Sequence, residues 1–178
     1  MITIKEIQKN KPVRVILSGG GTAGHIYPAV AVAEELKERY GDRIEVLFVG
    51  ARGKMEMQKV SALGYPIIGL PIVGLQRKLS LRNLKLPFKL LHSMWLSRRI
   101  IRRFDPQVVI GTGGYASAPI LKAAQNHRIP TMLWEGNSFA GMANRVLGRK
   151  ADKVFVSYKK MERFFDKEKI VLSGTPLR

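Results

Sequence analysis

His25 is the residue best placed to move a proton. It closes the run Gly19-Gly20-Gly21-Thr22-Ala23-Gly24-His25, which follows an apolar stretch of strand length and precedes a helical pattern. Glycines let a backbone turn sharply and let a ligand approach without meeting a Cβ. Unpaired N–H groups at the start of the next helix then face an anion, helped by the helix dipole. The same dipole disfavours imidazolium and leaves a neutral ring able to accept a proton. A structural role is the alternative for a histidine that has only His92 and His127 for company.

A second turn of this kind, Gly111-Thr112-Gly113-Gly114-Tyr115-Ala116-Ser117, also joins an apolar stretch to a helical pattern. Two such turns at the carboxyl ends of parallel strands face one crevice, where open α/β sheets bind ligands. A diphosphate or sugar phosphate fits that chemistry; two purely structural turns are the alternative. A third segment, Trp134-Glu135-Gly136-Asn137-Ser138, carries the only acid between Asp105 and Asp152. That carboxylate either orients a hydroxyl or a histidine, or caps the next helix. Gly19, Gly21 and Gly24 formally match the dinucleotide fingerprint, but the second strand ends Phe48-Val49-Gly50-Ala51 with no acid for a ribose. NAD is therefore disfavoured, and a Walker loop is excluded because His25 stands where its lysine belongs. The histidines do not cluster with carboxylates at metal-ligand spacing, so no metal site is expected.

These residues need a scaffold that brings strand ends together. Val/Ile/Leu-rich runs occur at Val13–Ser18, Ile44–Gly50, Pro66–Leu70, Gln107–Gly111, Thr131–Glu135, Lys153–Ser157 and Ile170–Ser173. They lack polar alternation, as strands buried on both faces should. Helical patterns lie between them near 26–40, 54–63, 81–104, 117–127, 139–150 and 158–166. Gly41 and Gly64 stand where left-handed helix ends are expected. Pro28 and Pro119 fall in first turns, and Pro87 should kink or restart its helix. The alternation predicts one doubly wound, Rossmann-like α/β domain over residues 1–178. The closing Gly174-Thr175-Pro176-Leu177-Arg178 reads like the start of a linker to a second domain.

The chain has 178 residues, no cysteine, and 31 Lys+Arg against 13 Asp+Glu. Without cysteine there is no disulfide scaffold, zinc ribbon or thiol nucleophile. Neither a secretory signal nor an apolar run of about 20 residues is visible. Between Met57 and Phe104 no acid occurs, while ten basic residues do. Arg82, Lys85, Lys89, His92, Arg99 and Arg103 share one helical sector, with Phe88, Leu91 and Trp95 assigned largely to other faces. Leu75 and Leu79 precede them among further cations. Apolar groups flanked by cations suit the headgroup boundary of anionic lipid. Nucleic acid is the weaker reading of this charge, since no reader motif accompanies it.

The chain resembles the N-terminal domain of the MurG-type glycosyltransferases. The resemblance rests on Gly20-Gly21-Thr22-Ala23-Gly24-His25-Ile26-Tyr27-Pro28, Gly113-Gly114-Tyr115-Ala116-Ser117, Glu135-Gly136-Asn137 with Ala140-Gly141, and Gly174-Thr175-Pro176-Leu177-Arg178. It implies a GT-B fold, of which this is the acceptor-binding half and a C-terminal UDP-sugar domain the other. It implies inverting, metal-independent transfer of N-acetylglucosamine from UDP-GlcNAc to a lipid-linked muramoyl pentapeptide (lipid I), without a cofactor. The cytoplasmic face of the bacterial inner membrane is the implied location, held peripherally. His25 would be the general base. Thr22, Ala23, Gly24, Asn137 and Arg178 would reach the donor. Gly20, Gly21, Gly113, Gly114, Tyr115, Ser117 and Glu135 would hold the acceptor. Leu75, Leu79, Arg82, Lys85, Phe88, Lys89 and Trp95 would touch membrane. Alone, this half should be inactive, because the donor phosphates must be held across the cleft. The alternative is a non-catalytic module binding a membrane or a lipid diphosphate. Trp134 and Gly136 depart from the family's common His-Glu-Gln-Asn, Ala118 from glycine and Thr175 from asparagine.

Overall fold

A computed structural model describes residues 11–74 and 86–176. Leu75, Leu79, Arg82, Lys85 and Arg178, named above, lie outside the described residues. Seven parallel strands form one sheet in the order β3-β2-β1-β4-β5-β6-β7. They are β1 (Val13–Gly19), β2 (Ile44–Ala51), β3 (Ile67–Leu70), β4 (Val108–Gly113), β5 (Thr131–Glu135), β6 (Lys153–Val156) and β7 (Ile170–Leu172). The helices are α1 (Ala23–Tyr40), α2 (Met55–Ala62), α3 (Leu86–Phe104), α4 (Ala118–Asn126) and α5 (Met142–Gly148).

Apolar residues on both sides of the central strands β1 and β2 give two separate cores. Val15 and Leu17 of β1 pack with Ile26, Val30 and Ala33 of α1 and Val60 of α2. Ile16, between them, joins the other core with Ile100 of α3, Ile120 and Leu121 of α4 and Leu147 of α5. That two-sided burial is the reason the strand sequences do not alternate. The chain winds outward from β1 to β3, then crosses back to β4 beside β1. The winding direction therefore reverses between β1 and β4, and the crevice at such a point is where open sheets take ligands.

Several boundaries differ from the sequence reading. α1 begins at Ala23, so Pro28 lies inside the helix and not in its first turn. Proline has no N–H to give the Gly24 carbonyl four residues back. Pro87 is the second residue of α3, which runs uninterrupted from there to Phe104; the first part of the helix expected at 81–104 lies outside the described residues. β4 extends to Gly113, two residues beyond the expected Gly111, because Gly19 and Gly113 pair across the β1–β4 seam. The helix expected at 158–166 does not form. Lys160 takes a left-handed φ of 63°, and a single 3-10 turn at Met161–Arg163 follows. Met161 and Phe165 both plug the core from that short turn, so burial there needs no longer helix. Gly64 (φ 80°) follows α2 with positive φ as expected, whereas Gly41 ends α1 at φ 54° and ψ −124°, positive in φ but outside the expected left-handed helical region.

Candidate active site

Both glycine turns meet at the seam between β1 and β4. Gly113 (φ 103°) and Gly114 (φ 80°) hold conformations that L side chains avoid. A Cβ on Gly114 would stand 2.1 Å from the Gly20 carbonyl oxygen, so one turn's backbone occupies the other turn's missing side chain. A Cβ on Gly113 would stand 2.7 Å from the His25 ring, and one on Gly21 3.0 Å from the Tyr115 ring. One on Gly111 would meet Leu121 of α4 at 2.4 Å. These glycines admit neighbouring protein, which corrects the expectation that their bare positions await a ligand. Gly24 alone among them has open space, with Thr22 Oγ1 3.9 Å away.

His25 sits in the first turn of α1, and its carbonyl is tied down by the Thr112 hydroxyl of β4 at 2.5 Å. Its Nδ1 lies 3.0 Å from Thr22 Oγ1. A proton on Nδ1 directed at that oxygen leaves the Nε2 lone pair free. Burial holds the imidazole below the ordinary histidine pKa, against the opposing charge of Glu135 and a hydrogen bond with the Gly20 backbone. The neutral ring expected from the helix dipole is thus favoured chiefly by desolvation.

Glu135, at the end of β5, is almost wholly buried. Its Oε1 accepts from Asn137 N–H at 3.0 Å and Asn137 Nδ2 at 2.9 Å. Its Oε2 accepts from Gly141 N–H at 2.9 Å and Asn144 Nδ2 at 3.0 Å. Of the two roles left open for it, the geometry favours holding the 136–144 loop and the start of α5. Ser117 is buried as well, and its hydroxyl donates to the Gly114 carbonyl at 3.0 Å. It shapes the second turn and does not present its hydroxyl to a ligand, contrary to expectation. Trp134 Nε1 donates to the Gly174 carbonyl at 3.1 Å, and a Cβ on Gly136 would lie 2.3 Å from its ring. The large residue at 134 thus requires the small one at 136, and the two departures form one packing unit.

From His25, Gly114, Tyr115, Glu135 and Asn137 a mostly apolar groove of about 830 Å³ runs between α3, α4 and α5. Leu90, Met94, Pro119, Met142 and Val146 line it, with Lys122 as its cation. The outer face of α3 continues the apolar surface with Phe88, Leu91 and Trp95 exposed. Arg99 stacks over Trp95 at 4.8 Å. These aromatic and aliphatic groups share the solvent side with the arginines, which corrects their assignment to other faces. No helix among the described residues is long and apolar enough to cross a membrane.

Residues 15–156 match the glycosyltransferase family 28 N-terminal domain. The chain belongs to that family. A Phocaeicola vulgatus protein is 53% identical over 166 residues, which are 93% of this chain and 44% of the relative. A Cytophaga hutchinsonii protein is 53% identical over 170 residues, 96% of this chain and 46% of the relative. Both are named UDP-N-acetylglucosamine--N-acetylmuramyl-(pentapeptide) pyrophosphoryl-undecaprenol N-acetylglucosamine transferase. Among solved structures, Acinetobacter baumannii MurG superposes with a TM-score of 0.77 at 29% identity, covering 94% of this chain and 46% of that one. A UDP-GlcNAc 2-epimerase from Neisseria meningitidis shares the fold at 15% identity and a TM-score of 0.62. The chain spans about half the length of the curated relatives it matches.

One feature of the site escaped the sequence reading. Gly21 N–H points at a buried carboxylate, Glu56, at 3.3 Å. That amide faces protein, so an anion at the crevice must find its donors elsewhere. The contact between the turns carries its own expectation. Gly114→Ala combines a left-handed backbone with a collision against backbone, and should cost at least about 2 kcal/mol of stability. Thermal unfolding of the 178-residue chain checks this, and an unchanged midpoint would disprove the contact.

Proposed function

We propose that this chain is the acceptor-side half of an inverting N-acetylglucosaminyltransferase. The intact protein would move N-acetylglucosamine from UDP-GlcNAc to the muramoyl 4-hydroxyl of a lipid-linked pentapeptide, without a metal. In the reaction the sugar 4-oxygen bonds to the donor's anomeric carbon as the bond from that carbon to UDP breaks. The hydroxyl proton passes to His25 Nε2, and UDP leaves with the electron pair. The observation that carries this reading is the placement of His25. A half-buried imidazole, held toward its neutral form by desolvation and set beside Thr22, stands at the mouth of an apolar groove, between the turns at the sheet's switch point. Ala23, Gly24 and Asn137, with Thr22 and Arg178, would meet the donor held by a second domain. Gly20, Gly21, Gly113, Gly114 and Tyr115 would shape the acceptor side through their backbone and ring.

The test is transfer itself. The intact protein, given UDP-GlcNAc and a prenyl-diphosphate-linked muramoyl pentapeptide, should add one N-acetylglucosamine to the extractable lipid. A lipid that gains no sugar removes the proposal.

The outer face of α3 would rest on the membrane bearing that acceptor. Lys89, Arg98, Arg99, Arg102 and Arg103 are all exposed there, and each is worth about 1 kcal/mol beside an anionic surface. Trp95 is half-exposed while Trp134 is buried, so a blue shift of tryptophan fluorescence reports docking. Binding to phosphatidylglycerol vesicles should weaken as salt rises and vanish in an Arg98/Arg99/Arg102→Glu triple variant. Equal binding to neutral phosphatidylcholine vesicles would rule out the electrostatic part.

A further inference from the structure

Glu56 takes no part in the chemistry above, although it is one of the most deeply buried residues in the chain. It is the second residue of α2 and only 1% exposed. Burying a carboxylate is costly unless hydrogen bonds satisfy it. Its Oε1 accepts the Ala51 N–H at the end of β2 at 3.0 Å. Its Oε2 accepts the Gly21 N–H at 3.3 Å. Two glycines leave it room: a Cβ on Gly20 would lie 2.2 Å from Oε1, and one on Gly50 2.6 Å from its Cγ. The first glycine turn and the end of β2 are thus both shaped around this one carboxylate. The residues flanking the clamped Gly21 are the two that hold the base. Gly20 bonds to His25 through its backbone and Thr22 faces Nδ1.

We propose that Glu56 is a positioning residue, its carboxylate bolting the first glycine turn to the end of β2 and thereby fixing where the His25 imidazole points. The idea rests on the reading of His25 as the base, but it makes a separate structural claim. With the bolt removed, Gly20 and Thr22 loosen and water reaches the ring.

The three histidines of the 178-residue chain allow a direct test. Their imidazole C–H resonances are followed against pH by NMR in the unaltered chain, in Glu56→Ala and in Glu56→Gln. Glutamine fills the same space but turns an N–H₂ toward one of the two amides, so it breaks half the clamp without opening a cavity. The His25 titration should move up toward the ordinary histidine value in both variants, while His92 and His127 stay where they were. An unmoved His25 in folded Glu56→Gln overturns the proposal, even if Glu56→Ala fails to fold. In the intact protein, displacement of the base should lower kcat roughly a hundredfold with acceptor KM unchanged. A loss confined to KM also overturns it. If His25→Ala leaves turnover intact, the base assignment fails by itself, and the titration still reads whether Glu56 holds the ring.

Discussion

Replacing His25 by alanine in the intact protein is expected to lower kcat by about 10²–10⁴-fold, the usual worth of a positioned general base. KM for both substrates should change little, because the groove and the turns keep their shape around a smaller residue. Vesicle binding should also survive, since His25 is far in role from the exposed cations of α3. The pH profile supplies a second signature. A base works only when neutral, so activity falls as pH drops through its pKa. Desolvation lowers that pKa, and the acid limb should therefore sit below the value of an ordinary histidine. Turnover unchanged in His25→Ala, or an acid limb above the ordinary value, would remove the imidazole from the reaction.

The second large effect is expected at Glu135, and the near-isosteric change is the informative one. All four partners of this carboxylate donate: Asn137 N–H, Asn137 Nδ2, Gly141 N–H and Asn144 Nδ2. Glutamine keeps one oxygen but turns an N–H₂ group toward two of them. Two buried donors then face donors, at about 1–3 kcal/mol each, so Glu135→Gln should cost about 2–6 kcal/mol in urea unfolding. The variant should also push His25 further down, because the lost negative charge favoured the imidazolium. A stability equal to that of the unaltered chain would mean that the carboxylate does not organise the 136–144 loop. A His25 titration that rises would contradict the electrostatic coupling between the two residues.

The architecture was legible because it rests on long-range repetition. Seven apolar runs separated by helical spacing fix a parallel sheet, and each run appears as a strand. The segment at 158–166 misled because Met161 and Phe165, four apart, satisfy a helical period from a single turn. The candidate site was legible in its residues but not in their contacts. Glycine content marks where backbone must come close, yet it does not say what comes close. Here Gly20, Gly21, Gly111, Gly113 and Gly114 make way for Glu56, Tyr115, Leu121, His25 and the Gly20 carbonyl. Glu56 itself went unnoticed because it opens a short amphipathic helix, where an acid ordinarily faces solvent. Gly50 in β2 and Gly20 just past the end of the neighbouring β1 were the available clue that something bulky lies between them.

The seating of the Gly20 oxygen in the hollow of Gly114 makes a single stiff shelf of two segments far apart in the chain. A headgroup settling on one side would lean on the same backbone that carries the imidazole. Under the proposed function, arrival of the lipid and alignment of the proton acceptor would then be one mechanical event, neither free to wander without dragging the other along.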